Sequence, residues 1–173
     1  ELARMAKEAP GVMQVPNALD ISEADRVRGK LTVIPMLGWN RSMRWPETGL
    51  KWIPTSQYIQ DFGAVVGYPM SGLGTYLGKF SHGIGKHYAF RGISHPKIRS
   101  AALAKELNAL RMPGLDFRIV TVPGRNGKPA TGLYAAVTDF NAWRPTELNF
   151  HLMRLACKYD ARNPFINVTS AQE

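Results

Sequence analysis

At 173 residues and 45% hydrophobic content, the chain fits one domain, or one domain with a tail, and can bury a core. It holds no run of 18 apolar residues and no signal-peptide pattern, and its single cysteine, Cys157, excludes an internal disulfide or a cysteine-based zinc site. The net charge of +9 suits an acidic partner, but the bases are scattered with no run of five, which weighs against nucleic acid.

The chain opens inside an apparent helix end, residues 1–9, stopped by Pro10 and Gly11. Residues 10–20 read as irregular, and residues 20–28 as a short capped helix ended by Gly29. Leu31–Met36 reads as a strand that Pro35 places at an edge. From Leu37 to Tyr58 no period fits, and Trp39, Trp45 and Trp52 interleave with Arg41, Arg44 and Lys51. This is a long ordered loop whose indoles suit stacking on a sugar face.

Ala64–Tyr68 reads as a buried strand feeding a glycine-rich stretch, Ser71–Pro96. Pro96 is placed to open a helix that carries Leu103, Leu107 and Leu110 on one face and runs to about Met112. Leu115–Val122 alternates like a half-buried strand, Asn126-Gly127 marks a hairpin turn, and Gly132–Thr138 is the returning strand. Pro145 opens a last helix with Leu148, Leu152, Leu155 and Ala156 on its apolar face, and Cys157 beside them reads as a buried thiol. Residues after Asp160 read as a tail. The class is mixed α/β: a small mixed sheet with helices packed on it, and the start in mid-helix reads as a cut from a longer protein. Residues 1–30 read as a helical linker, residues 31–160 as the mixed α/β domain, and residues 161–173 as the tail.

The stretch Ser71–Pro96 carries the chemistry. It holds His82, His87 and His95 with Lys79, Lys86 and Arg91, and no carboxylate lies between Asp61 and Glu106. Glycines let the backbone turn or approach a ligand, and bases around such a loop favour an anion. Gly72-Leu73-Gly74 fails as a dinucleotide fingerprint for want of the third glycine and the acid. A metal is disfavoured by the bases among the histidines, so no metal and no cofactor is called for. The remaining candidate is an anionic carbohydrate held by Ser81, His82, Gly83, Gly85, Lys86, His87 and Arg91, with Trp39 and Trp45 as stacking surfaces. A glycosidase normally needs two carboxylates, and this chain offers chiefly Glu47 and Asp139. The alternative is a non-catalytic binding module for a polyanion.

The order of segments LTVIPMLGW, RSMRWPETGLKWIPTS, YPMSG, GIGKHYAFRGISHP and VTDFNAWRPTEL resembles the second half of the exo-β-N-acetylmuramidase family. Thr48-Gly49-Leu50 with Trp52, and Val137-Thr138-Asp139 with Arg144-Pro145, are the most specific matches. The resemblance implies a bacterial glycoside hydrolase of two domains, the first Rossmann-like, that releases terminal N-acetylmuramic acid from peptidoglycan fragments in cell-wall recycling; this chain would be its C-terminal domain, with residues 1–30 the linker from the N-terminal one. Its lactyl carboxylate suits a basic loop. The partners implied are that sugar, or another anionic carbohydrate, and the preceding domain; no membrane is implied, and the compartment (periplasm, exterior or cytoplasm) is left open. Where the family's loop carries glutamates, this chain reads Tyr76, His82 and Arg91.

Overall fold

The computed structural model describes residues 30–124 and 127–160. The expectations for residues 1–29, for Asn126 and for the segment after Asp160 lie outside the described residues. The chain divides into two units, residues 1–44 and 45–173, each taken here by itself.

In the first unit, Leu31–Met36 does not form the expected strand. A strand exists only where a partner completes its ladder, and Ile34 and Leu37 are instead largely exposed. Asn40 closes the next turn, its Oδ1 accepting from Ser42 N at 3.0 Å.

The second unit opens with a 3-10 turn, Trp45–Thr48, and an irregular segment to Gln60. Helix α1, Phe62–Gly78, follows. This corrects the strand expected at Ala64–Tyr68, and it absorbs the first third of the glycine-rich stretch. Asp61 caps it, with Oδ1 accepting from Ala64 N at 2.7 Å. Pro69 sits inside and removes one helical donor. The glycines that signal a loop are here a packing surface. At about 100° per residue, Gly63, Gly67, Gly74 and Gly78 fall within an arc of about 60°. A Cβ at Gly74 would lie 2.6 Å from Asn149 Cα, so only glycine lets the neighbouring helix approach this closely. Lys79 ends α1 in the left-handed region at φ 60°, its N–H turned back to Thr75 O and Tyr76 O.

One antiparallel sheet carries four strands in the order β1-β2-β4-β3: β1 Ser81–His82, β2 Gly92–Ser94, β3 Leu115–Pro123 and β4 Pro129–Val137. The β3–β4 hairpin pairs Phe117 with Ala135 and Arg118 with Tyr134, while β2 pairs Ile93 with Leu133. Alternation sends Phe117, Ile93, Leu133 and Ala135 into the core and leaves Arg118 and Tyr134 on the other face.

Helix α2, Ser100–Ala109, packs on β3 and β4, and α3, Glu147–Tyr159, lies along α1. Both start later than expected, since Pro96 and Pro145 stand in the turns that precede them. Of the expected faces, Leu103 and Leu107 on α2 and Leu148, Leu152, Leu155 and Ala156 on α3 are buried, while Leu110 falls at the C-cap of α2 and is half-buried. Cys157 is exposed rather than buried. It stands nine residues after Leu148, about 180° round the helix from that face.

Candidate functional site

The loop between β1 and β2 is a tight hairpin. Ile84 and His87 exchange backbone hydrogen bonds at 2.9 Å each, leaving Gly85 and Lys86 at the tip. Gly85 has φ 61°, as the first position of a II′ turn requires, and a Cβ there would lie 2.9 Å from Pro123 O. The hairpin forms one wall of a polar cleft of about 740 Å³. Lys86, His87, Tyr88, His82 and Arg91 line it, together with Asp61, Gln57 and Gln60.

Arg91 is not a free base. Its Nη1 donates to Tyr134 Oη at 2.8 Å, its Nη2 lies 3.5 Å from Asp61 Oδ2, and its Nε is buried without a hydrogen-bond partner. Tyr134 is flanked by two guanidinium groups, Arg91 at 5.4 Å and Arg118 at 5.7 Å from the ring centre. Asp61 thus has two tasks, capping α1 with one oxygen and holding Arg91 with the other. Lys86 and His87, at the exposed hairpin tip, are the bases left open to a ligand.

His82 lines this cleft and a second one. Its ring lies against the Thr75 hydroxyl, with Nδ1 at 2.8 Å and Nε2 at 3.2 Å. Two nitrogens near one oxygen do not fix the tautomer. The Thr75 hydroxyl itself donates to Ser71 O at 2.7 Å. Partial burial holds the His82 imidazole below its ordinary 6.5, because the cation loses solvation there. The second cleft, about 720 Å³, is aromatic and aliphatic: Tyr68, Leu73 and Tyr76 from α1, Phe90 from the loop and Phe150 from α3. Phe90 packs edge-on to both Tyr68, at 4.9 Å, and His82, at 5.5 Å. Tyr88 and Phe90 both take φ near 60°, a conformation that costs bulky residues energy and recurs at functional sites. Ser71 Oγ holds the Phe90 carbonyl at 2.5 Å.

Of the residues expected at the site, His82, Gly85, Lys86, His87 and Arg91 meet at the polar cleft. Gly83, at φ 136°, leads into the hairpin, and Ser81 sits in β1 opposite Ser94. Trp45 turns edge-on to Trp52 at 5.4 Å, its Nε1 buried, so it braces its own loop. Trp39 belongs to the first unit, about half exposed. Among the described residues no group of three His, Cys, Asp or Glu side chains is placed to hold a metal. Glu47 stands in the 3-10 turn, and Asp139 Oδ1 accepts from Asn141 N at 2.8 Å, a turn-closing role. Asp61, Tyr134 and the aromatic cleft were missed. An aspartate immediately before a helical run is a readable cap, had residues 62–78 been read as helix.

Residues 66–171 match the family described as exo-beta-N-acetylmuramidase NamZ, C-terminal, and residues 1–63 match its N-terminal counterpart. Over 115 residues the chain is 33% identical to peptidoglycan beta-N-acetylmuramidase NamZ of Bacillus subtilis, which covers 63% of this chain and 27% of that protein. The fold is similar to the crystal structure of a DUF1343 family protein from Bacteroides fragilis, with TM-score 0.66 and 29% identity over 78% of this chain and 36% of that one. The chain thus spans a minority of the length of either relative. On its sequence and its fold, it belongs to the exo-β-N-acetylmuramidase NamZ family of peptidoglycan-related glycosidases.

Proposed function

We propose that the polar cleft binds the N-acetylmuramic acid of a peptidoglycan fragment, within a protein that releases this sugar from a chain end. The observation that carries the reading is the convergence of His82, Lys86, His87 and Arg91 on one cleft. The lactyl carboxylate of that sugar is an anion, and the hairpin tip offers Lys86 and His87 to it. Arg91 contributes as an anchored charge, since Asp61 and Tyr134 hold its guanidinium in place. Gln57 and Gln60 in the same lining add neutral amides for hydroxyl and acetamido groups. Family membership in a peptidoglycan-related group supports the same substrate class.

Calorimetric titration of the protein with N-acetylmuramic acid and with N-acetylglucosamine tests this. The first is expected to bind more tightly, and Lys86→Ala to weaken it by about 1.5–3 kcal/mol, the range for hydrogen bonds to charged groups. The second lacks the carboxylate and is expected to ignore the substitution. Equal affinity for both sugars, unchanged in Lys86→Ala, would overturn the reading. Salt adds a further arm: one carboxylate gives a shallow dependence, whereas a polyanion gives a steep one.

A further inference from the structure

We propose that the aromatic cleft is a second ligand subsite, which stacks the uncharged sugar ring joined to the acidic sugar in the polar cleft. The proposal rests on the reading above and adds the neighbouring half of the ligand.

Four observations carry it. First, none of the described residues lining this cleft is Lys, Arg, Asp or Glu, so they offer a charged ligand no formal counter-charge. Second, Tyr68, Tyr76 and Phe150 are each 60% or more exposed along it. A pyranose offers such rings an apolar C–H face and a polar rim. The rim finds polar groups in the lining at Tyr68, Thr146 and His82. Third, the cleft's volume of about 720 Å³ lies in the range of small-molecule sites.

Fourth, the two clefts adjoin at a shared residue. His82 belongs to both walls, and the consecutive residues Phe90 and Arg91 serve one cleft each. Phe90 holds φ 60°, its carbonyl pinned by Ser71 and the next side chain anchored by Asp61 and Tyr134. The strained peptide unit therefore fixes a ring on one side of the seam and a cation on the other. A molecule with an anionic ring and an adjoining neutral ring matches that arrangement.

The test compares N-acetylmuramic acid alone with the same sugar linked through sulfur to N-acetylglucosamine, a linkage that resists hydrolysis during titration. The linked pair is expected to bind about tenfold more tightly, the scale of one good ring stack. Tyr76→Ala with Phe150→Ala is expected to erase that gain while leaving the affinity for N-acetylmuramic acid and the melting midpoint unchanged. A linked pair no tighter than the single sugar would overturn the subsite. So would a gain that survives the double substitution, including the case where that variant alters only the elution volume and marks the face as a contact between copies. If the single sugar binds and the second ring adds nothing, only this proposal falls. If the single sugar fails to bind, the polar-cleft reading falls with it.

Discussion

Helices α1 and α3 lie against each other, yet they build their contact from opposite materials. Helix α3 presents side chains: Leu148, Leu152 and Leu155 are buried on one stripe, with Asn149 among them. Helix α1 presents backbone, through glycines that let the partner approach within a Cβ's width. Asn149 joins the two, its Oδ1 accepting from Gly74 N and its Nδ2 donating to Pro69 O, each at 2.8 Å. The difference teaches that a helix can be specified by what it lacks. A leucine stripe drives burial through apolar area, whereas a glycine stripe gives up helix propensity for proximity and polar pairing.

The sharpest way to break the leucine side is Leu152→Ala. A wholly buried leucine is expected to cost about 2–5 kcal/mol, read by chemical denaturation. Gly74→Val attacks the glycine side. Its Cβ meets the Asn149 backbone, so the expected loss is about 3 kcal/mol, near the top of the overpacking range. A loss under half a kcal/mol would show that the helices can part freely. Asn149→Ala removes the bridge and leaves Gly74 N–H and the Pro69 carbonyl without it, for about 1–3 kcal/mol. Asp61→Ala removes the α1 cap and is expected to cost about 1 kcal/mol. The same variant should also loosen Arg91, seen as weaker binding of an anionic sugar.

The smallest effect expected is on pH. Burial lowers His82, and His95 shifts the same way for the same leading reason. Between the lowered folded value and the ordinary 6.5, the unfolded chain binds the extra proton. The stabilising contribution of the neutral rings is therefore present above 6.5 and lost as pH falls through the folded value. Melting midpoints measured downward from pH 7 should decline, and His82→Gln should flatten part of that slope. An identical slope in the variant would remove His82 from the account.

The same contrast explains what could be read in the chain. The faces of α2 and α3, the β3–β4 hairpin and the mixed class follow from apolar periodicity, which the sequence displays openly. Helix α1 was hidden because Pro69 and its glycines are loop signals in isolation. Their spacing at 63, 67, 74 and 78 was the readable clue, since positions four and seven apart share one helix face. The basic lining of the polar cleft was legible from Lys86, His87 and Arg91 as residue types in a glycine-rich setting. Its acidic partner, Asp61, was not, because it lies 30 residues earlier and meets Arg91 only through α1. The aromatic cleft was invisible for a like reason. Tyr68, Tyr76, Phe90 and Phe150 come from three segments, and no local pattern joins them.

Gly63 has a bearing on inheritance. A methyl there would sit 2.1 Å from Arg91 Cζ, against the far end of a movable side chain rather than against backbone. Gly63→Ala would thus leave the fold standing and push the guanidinium out of its seat beside Asp61 and Tyr134. The two positions are sterically coupled although 28 residues separate them in the chain. Keeping the guanidinium in its seat beside Asp61 and Tyr134 requires glycine at 63, whereas a shorter residue at 91 would lift that requirement. Drift at an unreactive position can in this way readdress a charge without altering any charged residue.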